Sequence, residues 1–261
     1  MPAASAYFVR TGPGRFRPTE HTGGAWSTAE QHIAPLTGLV VHEIDRRVRA
    51  SGPDDKVIAR LTYDILGVVT IEEFDVAVET VRPGRTIELV EAIVTQHGRA
   101  VCRARAWRLS TSDTRDVAGG QPEPLPGPGT LPPGSLASTW PGGYIAGLDV
   151  RPAEPPRPGR TRTWVSTGIP LLADEPVGDL ARFVGLVDTA NGIAVRQPPS
   201  AWLFPNVDLS IHLHRQPAGP WVGLDTTVVF GSDGIGLTTT TLHDESGPVG
   251  RAEQALTLRR L

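Results

Sequence analysis

Cysteine occurs only once in this 261-residue chain, at Cys102, so no internal disulfide framework can hold the fold. Methionine also occurs once, aromatic residues make up 6%, and Lys56 is the sole lysine. Basic residues are scattered, the net charge is −3 and the isoelectric point lies near 6.2. Neither a nucleic-acid-binding face nor a polybasic membrane patch is therefore expected. No stretch approaches the roughly 20 apolar residues of a membrane span. Residues Met1–Arg10 lack a basic start followed by an apolar run, so no secretory leader is expected, and the cytoplasm is the expected address. The sequence also has no G-x-S-x-G elbow, no G-x-G-x-x-G and no Walker A loop. A serine nucleophile of the elbow type is thus not in view, and no cofactor is expected.

Proline and glycine, by contrast, are plentiful: 25 and 29, about one residue in five. Their placement is informative. Six Pro and five Gly fall between Thr111 and Trp140, which reads as a proline-stiffened linker over a surface. The chain then divides into residues 1–110, the linker 111–140, and residues 141–261. In the first part Pro35 marks a helix start, with Leu36, Leu39, Val40 and Ile44 at helical spacing. In the last part Asp179 reads as an N-cap ahead of Leu180, Phe183, Val184, Val187 and Ala190. Tyr144–Val150 reads as a short strand. Each helix is followed by strand-like runs separated by turn signals: Lys56–Leu66, Phe74–Arg82, Arg85–Thr95 and Ala100–Leu109, then Val207–Arg215, Trp221–Phe230, Gly236–His243 and Val249–Arg259. One helix and an antiparallel meander thus occur twice. A curved sheet wrapped round its helix buries both apolar faces, and the small residues Cys102, Ala104 and Ala106 would let the helix approach. The expected fold is α+β, a duplicated hotdog.

Several segments together resemble the acyl-CoA thioesterases of the double-hotdog type. They are Trp26 with Gln31-His32 and the helix at Pro35; Val81–Arg85; Ala106–Leu109; Leu148–Pro152; Arg182–Asp188; Asp208–Arg215; and Gly247–Arg259. The resemblance implies hydrolysis of acyl-CoA without a covalent intermediate. In it a carboxylate, a Gln and a Thr activate water, and a helix start polarises the thioester carbonyl. By position it implies Asp208 as the carboxylate and Gln254 as the amide. The Thr position falls on Val229. Thr226 and Thr227 are the nearest hydroxyls on that strand, and Thr227 is the third catalytic candidate. Relatives often read His-Gly-Gly where this chain has His32-Ile33-Ala34. These departures keep open a second reading, a non-catalytic protein that binds acyl-CoA or a lipid-like ligand on the same fold.

On chemistry alone, Asp208 is either a base raised by burial or a strand-end residue bonded to backbone. Gln254 shares a strand face with Ala252, Leu256 and Leu258, so its amide must find partners in the protein or on a substrate. Gln31 and His32 precede a helix N-terminus, where amides favour developing negative charge. Asp188, Asn191 and Gly192, late on the second helix, complete the candidate substrate-binding set. His212 and His214 alternate with Asp208, but two histidines at this spacing do not suffice for a metal site, and none is expected. Cys102 reads as a packed small residue. Exposed sheet edges are the expected route to homo-oligomers.

Overall fold

The computed structural model describes residues 6–52 and 54–261. The chain opens on a hairpin, β1 (Phe8–Gly12) and β2 (Arg15–Pro18), and then forms the long helix α1 (Ile33–Arg49). Strands β3 (Lys56–Ile65), β4 (Phe74–Arg82), β5 (Ile87–Gln96) and β6 (Arg99–Ser110) follow. Beyond the Pro/Gly-rich stretch come the one-turn helix α2 (Gly143–Ala146), β7 (Leu148–Pro152), β8 (Arg160–Thr167), α3 (Asp179–Val187) and the one-turn α4 (Ala190–Ile193). The remaining strands are β9 (Trp202–Leu203), β10 (Asp208–Leu213), β11 (Val222–Phe230), β12 (Ile235–Asp244), β13 (Gly247–Thr257) and β14 (Arg259–Arg260). Among the described residues, no helix is long and apolar enough to cross a membrane.

The sheet shows the duplication directly. Its twelve strands run in the order β1-β2-β4-β5-β6-β3-β10-β13-β12-β11-β8-β7. From the centre outward, β3-β6-β5-β4-β2-β1 on one side mirrors β10-β13-β12-β11-β8-β7 on the other. The halves meet where β3 pairs antiparallel with β10, with Leu61 opposite Ile211. This is the expected double hotdog. The two meanders join into one continuous sheet, because each contributes its first long strand to a shared seam. Small side chains line the concave face as expected: Cys102, Ala104 and Ala106 lie opposite Val94, Ala92 and Val90, and all six are buried.

Three local readings change. Helix α1 starts at Ile33, not Pro35, because His32 is the N-cap: its Nδ1 accepts the Ala34 amide proton at 3.2 Å. Pro35 still falls in the first turn, where a missing N–H costs nothing. Helix α3 is capped by Gly178 with Asp179 as its first residue, and it stops at Val187 with Asp188 as the C-cap. Tyr144 lies in the one-turn α2, not in a strand. The hairpin β1–β2 and strand β8 escaped the sequence reading because arginines interrupt their apolar alternation. The segment 111–140 does cross a surface, but it is anchored there. Leu125 is buried beside Gly223 and Trp164, and Trp164 Nε1 donates to the Pro126 carbonyl at 2.7 Å.

The two helices touch backbone to backbone. A Cβ on Gly38 would lie 2.5 Å from the Ala181 carbonyl oxygen and 2.8 Å from the Gly185 Cα. A Cβ on Gly185 would come no nearer than 3.6 Å to anything. Beside this crossing Thr37 Oγ1 lies 3.1 Å from the Val184 carbonyl, and Tyr63 donates its hydroxyl to the Thr37 carbonyl at 3.0 Å. The two glycines are therefore not equivalent. Gly38→Ala is expected to destabilise by about 1–3 kcal/mol through overpacking. Gly185→Ala is expected to be neutral or to stabilise by up to about 1 kcal/mol through the helix preference for alanine. Paired chemical-denaturation curves check the difference.

Candidate active site

The antiparallel crossing at Gly38 and Gly185 carries the start of α1 to the end of α3. There a cavity of about 330 Å³ opens, lined from both halves: Trp26, Gln31, His32 and Val69 from one, Asp188 and Asn206 from the other. Trp26 and Trp140 form one rim with Phe204 buried against them; Trp26 lies 4.8 Å from Trp140 and 5.0 Å from Phe204, both edge-on. Trp140 Nε1 donates to the Gly192 carbonyl at 2.7 Å, so the end of the Pro/Gly-rich stretch is tied to α4.

Asp188 is the electrostatic centre of this cavity. Its side chain is almost wholly buried because the C-cap position turns it under the helix, towards β13 and the segment that leads into β10. Gln254 Nε2 and Asn206 Nδ2 both donate to its Oδ1, each at 2.8 Å. Asn206 is itself held by donating to the Asp208 carbonyl at 2.9 Å. The second oxygen, Oδ2, lies 3.9 Å from His32 Nδ1, beyond hydrogen-bond reach. Burial pushes the Asp188 carboxyl up to about 7; the two amide donors oppose that rise, and the nearby Asp208 carboxylate adds to it. His32 is pushed down to about 3 by burial and is therefore neutral. Since its Nδ1 accepts from Ala34, the ring proton is on Nε2.

The sequence-derived residues separate into two groups. Gln254, Asp188, Gln31 and Asn191 are buried, His32 is half-buried, and all five gather at this cavity or directly behind it. Gln31 Nε2 donates to the Thr70 carbonyl at 2.7 Å and Asn191 Nδ2 to the Phe204 carbonyl at 3.0 Å. Both amide oxygens are left buried and without a partner among the described residues. Gly192 lines the cavity, but its amide is already bonded to the Thr189 carbonyl at 3.0 Å, so it is not free to receive an oxyanion. Asp208 does not line the cavity: its Oδ1 accepts the Ala255 amide proton at 2.6 Å, the strand-end role. Thr227 is also not brought in. It is exposed on the convex face of β11, opposite Thr239 and Arg160, and Val229 is exposed on the same face. The reason is register: alternate residues of β11 face opposite ways, and Thr226 and Val228 take the inward positions. His212 is exposed on the convex face of β10 and His214 is exposed just beyond that strand. The residue that sequence reasoning missed is Asn206. Its only local signal is an amide two positions before a strand-initial aspartate.

Comparison with known proteins adds a family. Residues 22–109 match the model of the acyl-CoA thioesterase N-terminal domain, and residues 120–258 match that of the C-terminal domain. The chain belongs to the acyl-CoA thioesterase family. No functionally curated protein matches it. Among solved structures, a hot-dog-fold protein of Alicyclobacillus acidocaldarius superposes with a TM-score of 0.73 at 13% identity, covering 98% of this chain and 97% of its own. A candidate thioesterase of Novosphingobium aromaticivorans gives 0.71 at 19%, covering 99% of each chain. An acyl-CoA thioesterase II of Mycobacterium marinum gives 0.66 at 16%, covering 97% and 96%. At these identities the likeness shows the fold.

The Asp188 titration has a direct consequence for stability in this thioesterase-family chain. Its carboxyl is raised from 3.8 to about 7, so between those values the folded chain holds a proton that the unfolded chain has released. That contribution is complete below about pH 4 and is lost as pH rises to about 7. Asp188→Asn keeps Oδ1 as an acceptor and removes the ionisation. The variant is expected to gain stability over the wild type on the order of a few kcal/mol at pH 8, and less at pH 5. Thermal unfolding at the two pH values checks it.

Proposed function

We propose that this protein hydrolyses acyl-CoA thioesters to a free acid and CoA in the cavity between α1 and α3, with Asp188 as general base. The observation that carries this reading is the division of labour between the two Asp188 oxygens. Oδ1 is occupied by Gln254 and Asn206, which fix the carboxyl plane. Oδ2 is left facing the helix start, with a proton affinity near neutrality, where a general base is most effective. A water bonded to Oδ2 gives its proton to Asp188 as its oxygen attacks the thioester carbonyl. The carbonyl oxygen becomes an oxyanion next to the Ile33 amide and the Nε2–H of neutral His32, both at the positive end of α1. Collapse breaks the C–S bond, and the departing CoA thiolate takes the proton back from Asp188.

In this reading Asn206 fills the place that the resemblance gives to a hydroxyl residue, and Asp188 the place it gives to Asp208. The non-catalytic alternative loses its motive, since Val229 and Thr227 both face away from the cavity. We also read residues 1–110 and 141–261 as two copies of one unit, joined by 111–140, with the single reaction centre built across them.

Free CoA release, followed with a thiol reagent across a panel of acyl-CoAs, tests the activity. Asp188→Asn is expected to lower kcat/KM by roughly 10²–10⁴, the usual contribution of a general base. Asp208→Asn, which can still accept from Ala255, should stay within a few-fold of wild type. The wild-type rate should rise with pH through about 7. Asn206→Ala removes a donor that holds the Asp188 carboxyl down, so it should shift that rise to higher pH. A pH-independent rate, or full activity in Asp188→Asn, would overturn the assignment.

A further inference from the structure

Behind the His32 wall of this cavity lies a second one. It measures about 470 Å³, and its lining includes Tyr7, Thr167, Leu171, Gly185 and Leu186. Three rings in a row separate the two spaces. His32, on the near side, stacks on Tyr144 with centroids 4.2 Å apart and planes 29° apart. Tyr144 in turn meets Tyr7, on the far side, at a centroid distance of 6.0 Å. Tyr144 is completely buried and lines neither space; it is the middle layer.

Hydrogen bonds fix this layer in position. Thr189 gives its own hydroxyl proton to the Leu186 carbonyl, so the Tyr144 hydroxyl donates to Thr189 Oγ1, at 2.6 Å. Thr167 likewise donates to the Gly147 carbonyl, so Tyr7 donates to Thr167 Oγ1, at 3.1 Å. Both rings are therefore held by their rims. Burial also raises both phenols, Tyr7 to about 12, so neither ionises in the working range.

The geometry points to Tyr144 as the centre of the partition that sets the length of acyl chain this site accepts: we propose that the layer of His32, Tyr144 and Tyr7 closes the near cavity, that Tyr144 holds the two outer rings in place, and that the far cavity is an extension of the acyl channel which this layer keeps separate. This rests on the near cavity being the acyl-thioester site. At roughly 30 Å³ per water-sized group, 330 Å³ holds about eleven non-hydrogen atoms. Once the thioester group is seated, roughly six to eight chain carbons fit. The substrate class is accordingly short- to medium-chain acyl-CoA. Opening the partition adds the 470 Å³ beyond it, room for a long chain.

The test uses non-hydrolysable S-alkyl-CoA thioethers of graded length, with binding read from the fluorescence of Trp26 and Trp140, and hydrolysis of the matching acyl-CoAs measured in parallel. Wild-type affinity is expected to rise with chain length to about eight carbons and then level off or fall. In Tyr144→Ala it should keep rising, by up to roughly fourfold per further buried methylene. The preference for sixteen carbons over six should grow at least tenfold. Tyr144→Phe keeps the ring and should keep the wild-type length profile. If Tyr144→Ala does not fold, Tyr144→Leu, with less bulk than the ring, should move the profile the same way by a smaller step. A folded Tyr144→Ala or Tyr144→Leu with an unchanged length profile, or one weakened equally at all lengths, overturns the proposal. So does a wild type that binds the longest chain best, or one that binds no thioether. Binding that shifts as expected while no acyl-CoA is hydrolysed leaves the partition standing and overturns only the hydrolase reading.

Discussion

The contact on which the rest of the molecule depends is the crossing of α1 and α3 at Gly38 and Gly185. Two helices that meet without a side chain between them bring their backbones as near as packing allows. This closeness sets the positions of everything at their ends. The start of α1 then lies across from the C-cap of α3, and the cavity between them is walled by both halves. Sharing one sheet through β3 and β10 supports the same arrangement from outside. A duplicated unit that folded as two separate sheets would not place His32 and Asp188 in one wall.

Burial at this junction creates the electrostatics. A carboxylate taken out of water costs free energy unless donors or cations compensate it. Asp188 receives two amide N–H groups and, among the described residues, no cation, so its ionised form is only partly compensated and its proton affinity rises. His32, desolvated in the same wall, responds in the opposite direction and stays neutral. One physical cause thus yields a carboxyl of raised proton affinity beside a neutral imidazole. The aromatic rim of Trp26 and Trp140, backed by Phe204, supplies the apolar surroundings that keep the local dielectric low. The Pro/Gly-rich stretch contributes to this rim through Trp140, so it shapes the site as well as joining the halves.

Much of the fold was legible in the sequence. The stripe Leu36, Leu39, Val40 and Ile44, and its counterpart around Phe183 and Val184, gave both helices through their 3.6-residue period. The alternation of Cys102, Ala104 and Ala106 gave the helix-facing side of β6. Short, arginine-punctuated elements such as β1–β2 and β8 were not legible, since four or five residues carry too little periodicity. The site was legible in part. Gln254 stood out because an amide on an apolar strand face demands a partner. The burial of Asp188 was not legible, because a helix-end aspartate reads first as a local cap. The outward placing of Thr227 was not legible, because one step in register exchanges the inner and outer faces of a strand.

The sequence by itself determined the composition class, the two helix-and-meander repeats and the thioesterase-like pattern of segments, because periodicity and turn chemistry are local properties of the chain. Only the tertiary structure decided which carboxylate is buried, which amides hold it, and that Asn206 is one of them. Those facts depend on where residues 188, 206 and 254 converge, and no local pattern encodes distances between residues far apart in the chain. The same holds for the ring layer of His32, Tyr144 and Tyr7. Its three members come from three separate segments and meet only because the two halves are folded against each other.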